Sequence, residues 1–485
     1  MRYDLCVIGA GPAGFAAAMR AHDLGRKVVL VEAGYVGGTG VRHGALSSKT
    51  LWHLSNDYAR ARRDDRGYRA RDWEISFERT IAEMRSAVRE RQALLEHQLA
   101  ALKAPDARGA LVDLVKGRAR FISPHQVEVA GEGEPRLVEA DYFLIATGSR
   151  PRVPGGITLT PGRIVTSDQL EDVAGFPKSM VVVGAGVVGC EYATIFGNFG
   201  QTSINVIDRQ PRILPSEDED VAEVVARNFE DIGIRIHRAA TLLTLECQAE
   251  GVRYRIRGQD GREETIDVEL ALISTGRVPN TDSLGLEIAG VERDGGGGIV
   301  SKRTATTAPH VFAAGDVTAD VSLVNIAELE GRHAAECMFG TEVKLVQYDA
   351  LPSIMFLKPE VASAGMNELE AKRRGVPYVV GVVSNRLLAR NIAMRSTDGF
   401  VKLLATKEPP HRVLGLRVVG PQASSTVQGV AFLIEHECTL EDIDSCVHPH
   451  PAIPEGVQEC ARLMLGKSVL KPSVFGPALL RIGEG

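Results

Sequence analysis

The 485 residues contain no run of 18 apolar residues, whereas a helix needs about 20 to cross a bilayer. The N-terminus lacks the charged-then-apolar layout of a signal peptide and runs straight into an apolar strand, Tyr3 to Ile8. No Lys/Arg-rich run stands out and the formal net charge is −6, which argues against a nucleic-acid partner. The seven cysteines, at 6, 190, 247, 337, 438, 446 and 460, form no C-x-x-C or C-x₄-C pair. A disulfide scaffold and a cysteine zinc site are therefore disfavoured, and no metal is expected. These absences point to a cytoplasmic, multidomain, ligand-binding protein without integral membrane association. What the chain has in abundance is glycine, 50 residues, so it makes many tight turns or brings backbone close to ligands. Its length implies about two to four domains.

An internal repeat organises the first two-thirds of the chain. VIGAGPAGFAAAM begins at Val7 and VVGAGVVGCEYAT at Val182, each an apolar strand, a G-x-G-x-x-G turn and a small-residue helix. The halves close on LIATGSRPR at 144–152 and LISTGRVPN at 272–280. Gly9 to Leu144 is 135 residues and Gly184 to Leu272 is 88, so the first copy carries 47 extra. Residues about 50–105 are that insertion, and they read as helical. Ile81, Met84, Val88, Leu95, Leu99 and Leu102 form one apolar stripe at three- and four-residue steps.

Gly9, Gly11 and Gly14 place small residues where backbone must approach a pyrophosphate, with a helix N-terminus behind them. Glu32 ends the next strand, KVVLVE, as an acceptor for ribose hydroxyls. Gly184, Gly186 and Gly189 repeat the turn, and Asp208 ends the matching strand SINVID. A carboxylate there accepts from a 2′-hydroxyl and repels a 2′-phosphate, favouring NADH over NADPH, although nearby Arg209 and Arg212 blunt the preference.

The fold expected is α/β: two Rossmann-like dinucleotide-binding domains and a C-terminal α+β dimerisation domain. Residues 1–150 and 283–345 make the first, with a helix over Ile326–Phe339, and 151–282 the second. Residues 346–470 make the third, with a hairpin of FVKLLAT and VLGLRVVG and a helix through GVAFLIEHE. The tail, 471–485, docks on a neighbour or frays.

With ATG at 146–148 and AAGDV at 313–317 in this order, the chain resembles the pyridine nucleotide–disulfide oxidoreductases over nearly its whole length. GCEYATIF and NTDSLGL look most like the family's soluble transhydrogenase branch. The resemblance implies that the first fingerprint binds FAD, with Gly38, Thr39, Thr147, Gly148, Gly315 and Asp316 contributing and Asp316 holding the ribityl chain. It implies NAD(H) at the second fingerprint, with Gly276 and Arg277 in its closing phrase, and a homodimer. GGTGVRHGALSSK at 37–49 matches the family's redox segment, Lys49 its flavin-side lysine and Glu191 the carboxylate paired with that lysine. His450 and Glu455 in HPHPAIPE match the acid–base pair lent by the other subunit.

The departure is at the thiols. Gly40 and Ala45 stand where the family has its two cysteines, so no thiolate can attack the flavin and disulfide reduction by the ordinary route is excluded. Arg42 and His43, between the two positions, either line an acceptor pocket or point into solvent. His450 and Glu455 either protonate another acceptor or hold the dimer loop. The reading adopted is an FAD-dependent NADH oxidoreductase passing electrons to a small quinone-like acceptor. A soluble transhydrogenase and a slow nucleotide-binding flavoprotein or electron-transfer partner subunit are its alternatives.

Overall fold

The computed structural model describes residues 2–65, 67, 74–340, 343 and 346–485. The stretch of the helical insertion at 66 and 68–73 lies outside them. Residues up to 176 together with 273–346 make one compact unit, and 177–272 together with 347–485 make another.

The chain opens with β1 (Arg2–Ile8), α1 (Pro12–Asp23) and β2 (Lys27–Glu32), then α2 (Gly38–Arg42), α3 (Ala45–Ala61) and α4 (Phe77–Ala101). β3 (Leu111–Lys116), β4 (Arg118–Ser123), β5 (Gln126–Ala130), β6 (Arg136–Ile145), β7 (Ser149–Pro151) and β8 (Ile164–Thr166) follow. β1 and β2 are almost continuously apolar and buried on both faces, as parallel strands covered by helices must be. α1 starts with Pro12 in its first turn, where a missing N–H costs nothing. Ser76 caps α4 by accepting from the Arg79 N–H at 3.2 Å, and Ile81, Met84, Val88, Leu95 and Leu99 form its buried stripe.

The second unit begins with β9 (Ser179–Val183), α5 (Val187–Phe199), β10 (Ser203–Ile207), α6 (Glu219–Asp231) and β11 (Arg235–His237). After the meander β12 (Thr241–Gln248), β13 (Gly251–Arg257) and β14 (Glu263–Val268) comes β15 (Leu270–Ile273), giving a sheet in the order β11-β10-β9-β15. The chain then returns to the first unit with β16 (Arg277–Pro279), β17 (Ser301–Lys302), β18 (Ala305–Thr306), β19 (Val311–Ala313) and α7 (Val324–Phe339).

That return completes a nine-stranded sheet, whose main path is β17-β18-β19-β6-β1-β2-β3. Its register decides where the site falls. Ile8 pairs with Ile145, and Ile145 with Ala313, so β1, β6 and β19 end level with one another. The glycine turn after β1, the ATG segment after β6 and Gly315–Asp316 after β19 therefore leave the sheet at the same edge. Open α/β sheets bind ligands at such carboxyl ends.

The remainder supplies β20 (Pro352–Met355), β21 (Val361–Gly365), α8 (Glu368–Arg374), β22 (Tyr378–Ser384) and α9 (Ala389–Ala393). Then come β23 (Phe400–Thr406), β24 (Val413–Val419), α10 (Ser424–Glu435), α11 (Leu440–Ser445), α12 (Glu455–Met464), α13 (Pro472–Phe475) and β25 (Leu480–Glu484). β23 and β24 form the anticipated hairpin, and α10 follows it. The tail does not fray: β25 pairs antiparallel with β22, from Val383 opposite Leu480 to Val379 opposite Glu484. The six-stranded sheet runs β20-β21-β24-β23-β22-β25.

Candidate functional site

The two glycine turns repeat each other atom for atom. Gly9 donates its N–H to Val31 O at 2.7 Å, and Gly184 does the same to Ile207 O at 2.9 Å. Ala10 N–H donates to Glu32 Oε2 at 2.7 Å, as Ala185 N–H does to Asp208 Oδ2 at 2.6 Å. The other oxygen of each carboxylate accepts from the backbone two residues on, Gly34 at 2.6 Å and Gln210 at 2.8 Å. An ionised carboxylate has about four acceptor sites, so both acids retain capacity for ribose hydroxyls.

Glycine is compulsory at Gly14, where a Cβ would lie 1.9 Å from Gly9 O. At Gly11 and Gly186 a Cβ would meet nothing within 4 Å. The loops are thus tight on the sheet side and open on the other, which fits a pyrophosphate cradle. Gly189 is buried within α5. Arg212 donates to Pro215 O and Glu217 O, whereas Arg209 is exposed beside Asp208.

Around the first turn, Gly37 N–H donates to Ala10 O at 2.8 Å and Gly38 lies against Gly11, with Thr39 following it in α2. Thr147 Oγ1 donates to Asn280 O at 2.6 Å, and Asn280 N–H to Gly148 O at 2.8 Å. Gly276 O accepts from Arg152 N–H at 2.8 Å, and Gly315 N–H donates to the buried Glu330 carboxylate at 2.7 Å. Asp316 Oδ2 accepts from Ser149 Oγ, which itself accepts from Arg277 Nε at 2.7 Å. Arg277 also stands 3.8 Å from Asp316 and 3.9 Å from Asp168. It therefore steers Asp316 through Ser149. Sequence reasoning missed Ser149, whose partners lie 167 and 128 residues away.

The cysteine-less segment forms α2, the turn at 43–44 and the start of α3. Gly40, Ala45 and Lys49 all border a cavity of about 760 Å³ between α1, α3, α4 and α7. Its walls are mainly apolar, with Pro12, Phe15, Val41, Leu94 and Val324 among them, and Glu90, Arg91 and Glu328 add charge. A Cβ on Gly40 would lie 2.8 Å from Pro12 Cγ and 3.4 Å from Val324 Cγ2, so side chains of α1 and α7 occupy the space a side chain there would need. Lys49 Nζ donates to Ser48 Oγ at 3.2 Å.

Arg42 and His43, both part-exposed, are absent from the cavity lining and turn toward Glu171. The Arg42 guanidinium stacks 3.9 Å over the Tyr35 ring, and Arg42 Nη2 and His43 Nδ1 stand 3.9 and 3.6 Å from Glu171 Oε1. Arg85 approaches the same carboxylate at 3.4 Å. One acid thus gathers three basic side chains around the turn.

In the second unit, buried Glu191 accepts from the Phe356 N–H at 3.0 Å. His450 Nδ1 lies 2.7 Å from Glu455 Oε1, and Glu455 Oε2 accepts from the Ala452 N–H at 2.7 Å. Glu455 heads α12 and fixes a mostly exposed imidazole by one nitrogen, leaving Nε2 outward. Elsewhere in this unit Asp218, Asp220 and Glu368 converge closely enough to hold a cation, and fully buried Lys402 supplies it, with Nζ at 2.6, 2.7 and 3.0 Å.

Among the described residues no helix is long and apolar enough to cross a membrane. The family described as pyridine nucleotide-disulphide oxidoreductase matches residues 3–331, and its dimerisation domain matches 351–461. A dihydrolipoyl dehydrogenase of Bacillus subtilis is 33% identical over 469 residues, covering 96% of this chain and 97% of that protein. LpdA from Mycobacterium tuberculosis superimposes with a TM-score of 0.87 at 27% identity, over 96% of this chain and 99% of that one. The Cu(II) complex of the HOCl-induced flavoprotein disulfide reductase RclA from Escherichia coli gives 0.84 at 25% identity, over 96% and 99%. Fold, paired fingerprints and C-terminal domain agree with these matches, and the chain belongs to the pyridine nucleotide–disulfide oxidoreductase family.

Proposed function

We propose that the chain is an FAD-dependent oxidoreductase that passes two electrons from NADH to a small, non-disulfide, quinone-like acceptor. The observation that carries this reading is the pairing of two missing thiols, at Gly40 and Ala45, with a largely apolar cavity bordered by both positions. Apolar cavities with a few placed polar groups suit planar organic ligands.

The open face of the Gly9–Gly14 turn, with Glu32, Gly38, Thr39, Thr147, Gly148, Gly315 and Asp316 around it, fits FAD. The second turn fits NADH, and Asp208 opposes the 2′-phosphate of NADPH. A bound flavin supplies two-electron chemistry that the side chains alone lack. Lys49 stabilises developing negative charge at the cavity wall. Glu455 holds His450 at Nδ1 so that Nε2 can hand a proton to the acceptor. In sum NADH, a proton and the quinone give NAD⁺ and the hydroquinone. Arg42 and His43 act through Glu171, by fixing the turn. The match to the dimerisation domain supports a homodimer.

Anaerobic stopped-flow mixing of the flavin-loaded protein with NADH or NADPH tests the reading. Rapid two-electron bleaching by NADH, followed by reoxidation with benzoquinone, is expected. Equal bleaching by NADPH would favour a transhydrogenase, and no bleaching by either would leave a nucleotide-binding flavoprotein.

A further inference from the structure

Resting on that acceptor reading, we propose that the acceptor carries a neutral apolar substituent, gripped at the cavity mouth by Leu94 of α4 and Val324 of α7. Three observations support it. First, α4 faces two ways. Its buried stripe includes Leu95 at 4% exposure, whereas Leu94 lies off that stripe, is 57% exposed and still borders the cavity. Val324, in the first turn of α7, is 36% exposed and borders the same cavity. Neither residue is committed to the core, yet both extend the apolar lining outward.

Second, the charges on the wall cancel. Lys49 and Arg91 are balanced by Glu90 and Glu328, so the wall carries no net formal charge to favour a strongly ionic acceptor, and apolar contact adds the discrimination. Third, the cavity of about 760 Å³ is shared with the expected cofactor, so the acceptor takes only the part bordered by the α4 and α7 side chains, where the lining is Leu94, Ala87 and Val324 beside charged Glu90, Arg91 and Glu328. Gly11, Pro12 and Gly37 on the same wall belong to the expected cofactor site, whereas Phe15, Ala87 and Leu94 line the cavity from α1 and α4.

The test compares two acceptors with one ring, 2,3-dimethoxy-5-methyl-1,4-benzoquinone with and without a decyl chain, on the FAD-loaded dimer. In the wild type kcat/KM should favour the decyl compound by about tenfold, chiefly through KM, because each buried methylene contributes appreciably to binding. Leu94→Glu and Val324→Glu should each bring that ratio close to one. Leu137→Glu, at a comparably exposed leucine (61%) outside the cavity lining, should keep the wild-type ratio. Equal kcat/KM for the two acceptors in the wild type would overturn the inference and leave the acceptor reading intact. So would a preference that survives both cavity substitutions. Loss of the dimer in Leu94→Glu, with the preference unchanged in Leu94→Ala, would also overturn it by making Leu94 an interface residue. If NADH bleaches the flavin but neither quinone restores it, the acceptor reading falls and this inference with it.

Discussion

Gly40 shows how much one missing side chain settles. Because Pro12 and Val324 stand within 2.8 and 3.4 Å of where its Cβ would be, introducing thiols by Gly40→Cys with Ala45→Cys overpacks the cavity wall. Such insertions cost about 1–3 kcal/mol. The double variant should melt below the wild type in calorimetry and show no NADH-dependent disulfide reduction. Ser149 is the complementary case. Ser149→Ala removes a hydrogen bond to the Asp316 carboxylate, a kind that contributes about 1.5–3 kcal/mol. Flavin release followed by fluorescence should show FAD held at least about tenfold more weakly. Glycines and strand-end acids were legible in the sequence, since each serves the turn it sits in and a fixed spacing reveals it. Ser149 and Glu171 were not, because their partners lie far along the chain and no local period marks them. Arg42 and His43 stand out in the sequence by position, but the carboxylate that claims them sits about 130 residues downstream.

At the scale of elements, the apolar stripe of α4 was readable from its period, while the same helix's cavity face was not, being short and chemically mixed. The junction of α6, α8 and β23 around Lys402 escaped notice altogether. Burial alone would lower the Lys402 pKa, but Asp220, Asp218 and Glu368 outweigh it and raise it. Burial would likewise raise Asp218, but the Lys402 charge and hydrogen bond, with the Leu369 and Glu368 N–H groups, bring it below its ordinary value. The signs then follow. Asp218 contributes stability above its unfolded pKa of about 3.9, and that contribution is lost as pH falls through the folded value. Lys402 contributes below about 10.4 and loses its contribution as pH rises through its folded value. Lys402→Met leaves Asp218 and Glu368 without their cation, while Asp220 keeps Arg481, and should cost about 3–5 kcal/mol at neutral pH. The deficit should shrink below about pH 4, as the acids take up protons. Urea denaturation at pH 7 and pH 3.5 measures both effects.

For the whole molecule, the repeat announced two nucleotide-binding sheets, and the level ends of β1, β6 and β19 explain why motifs more than 300 residues apart form one site. If His450 serves the other subunit's flavin, inactive chains should complement. In a hybrid dimer of Lys49→Met with His450→Ala, one site keeps both groups intact. A random mixture of the two inactive parents should recover about a quarter of wild-type turnover, as two-fold symmetry requires. Reliance of each chain on its own histidine would recover none.

The strand order also has a consequence for biosynthesis. β6 finds its neighbour β19 only after the β11-β10-β9-β15 sheet has been made in between. A chain emerging from the ribosome therefore finishes its second nucleotide sheet before its first, and meanwhile holds an open β6 edge. Chains halted near residue 272 should bind a chaperone through that edge while already protecting the amides of β9 and β10 from exchange.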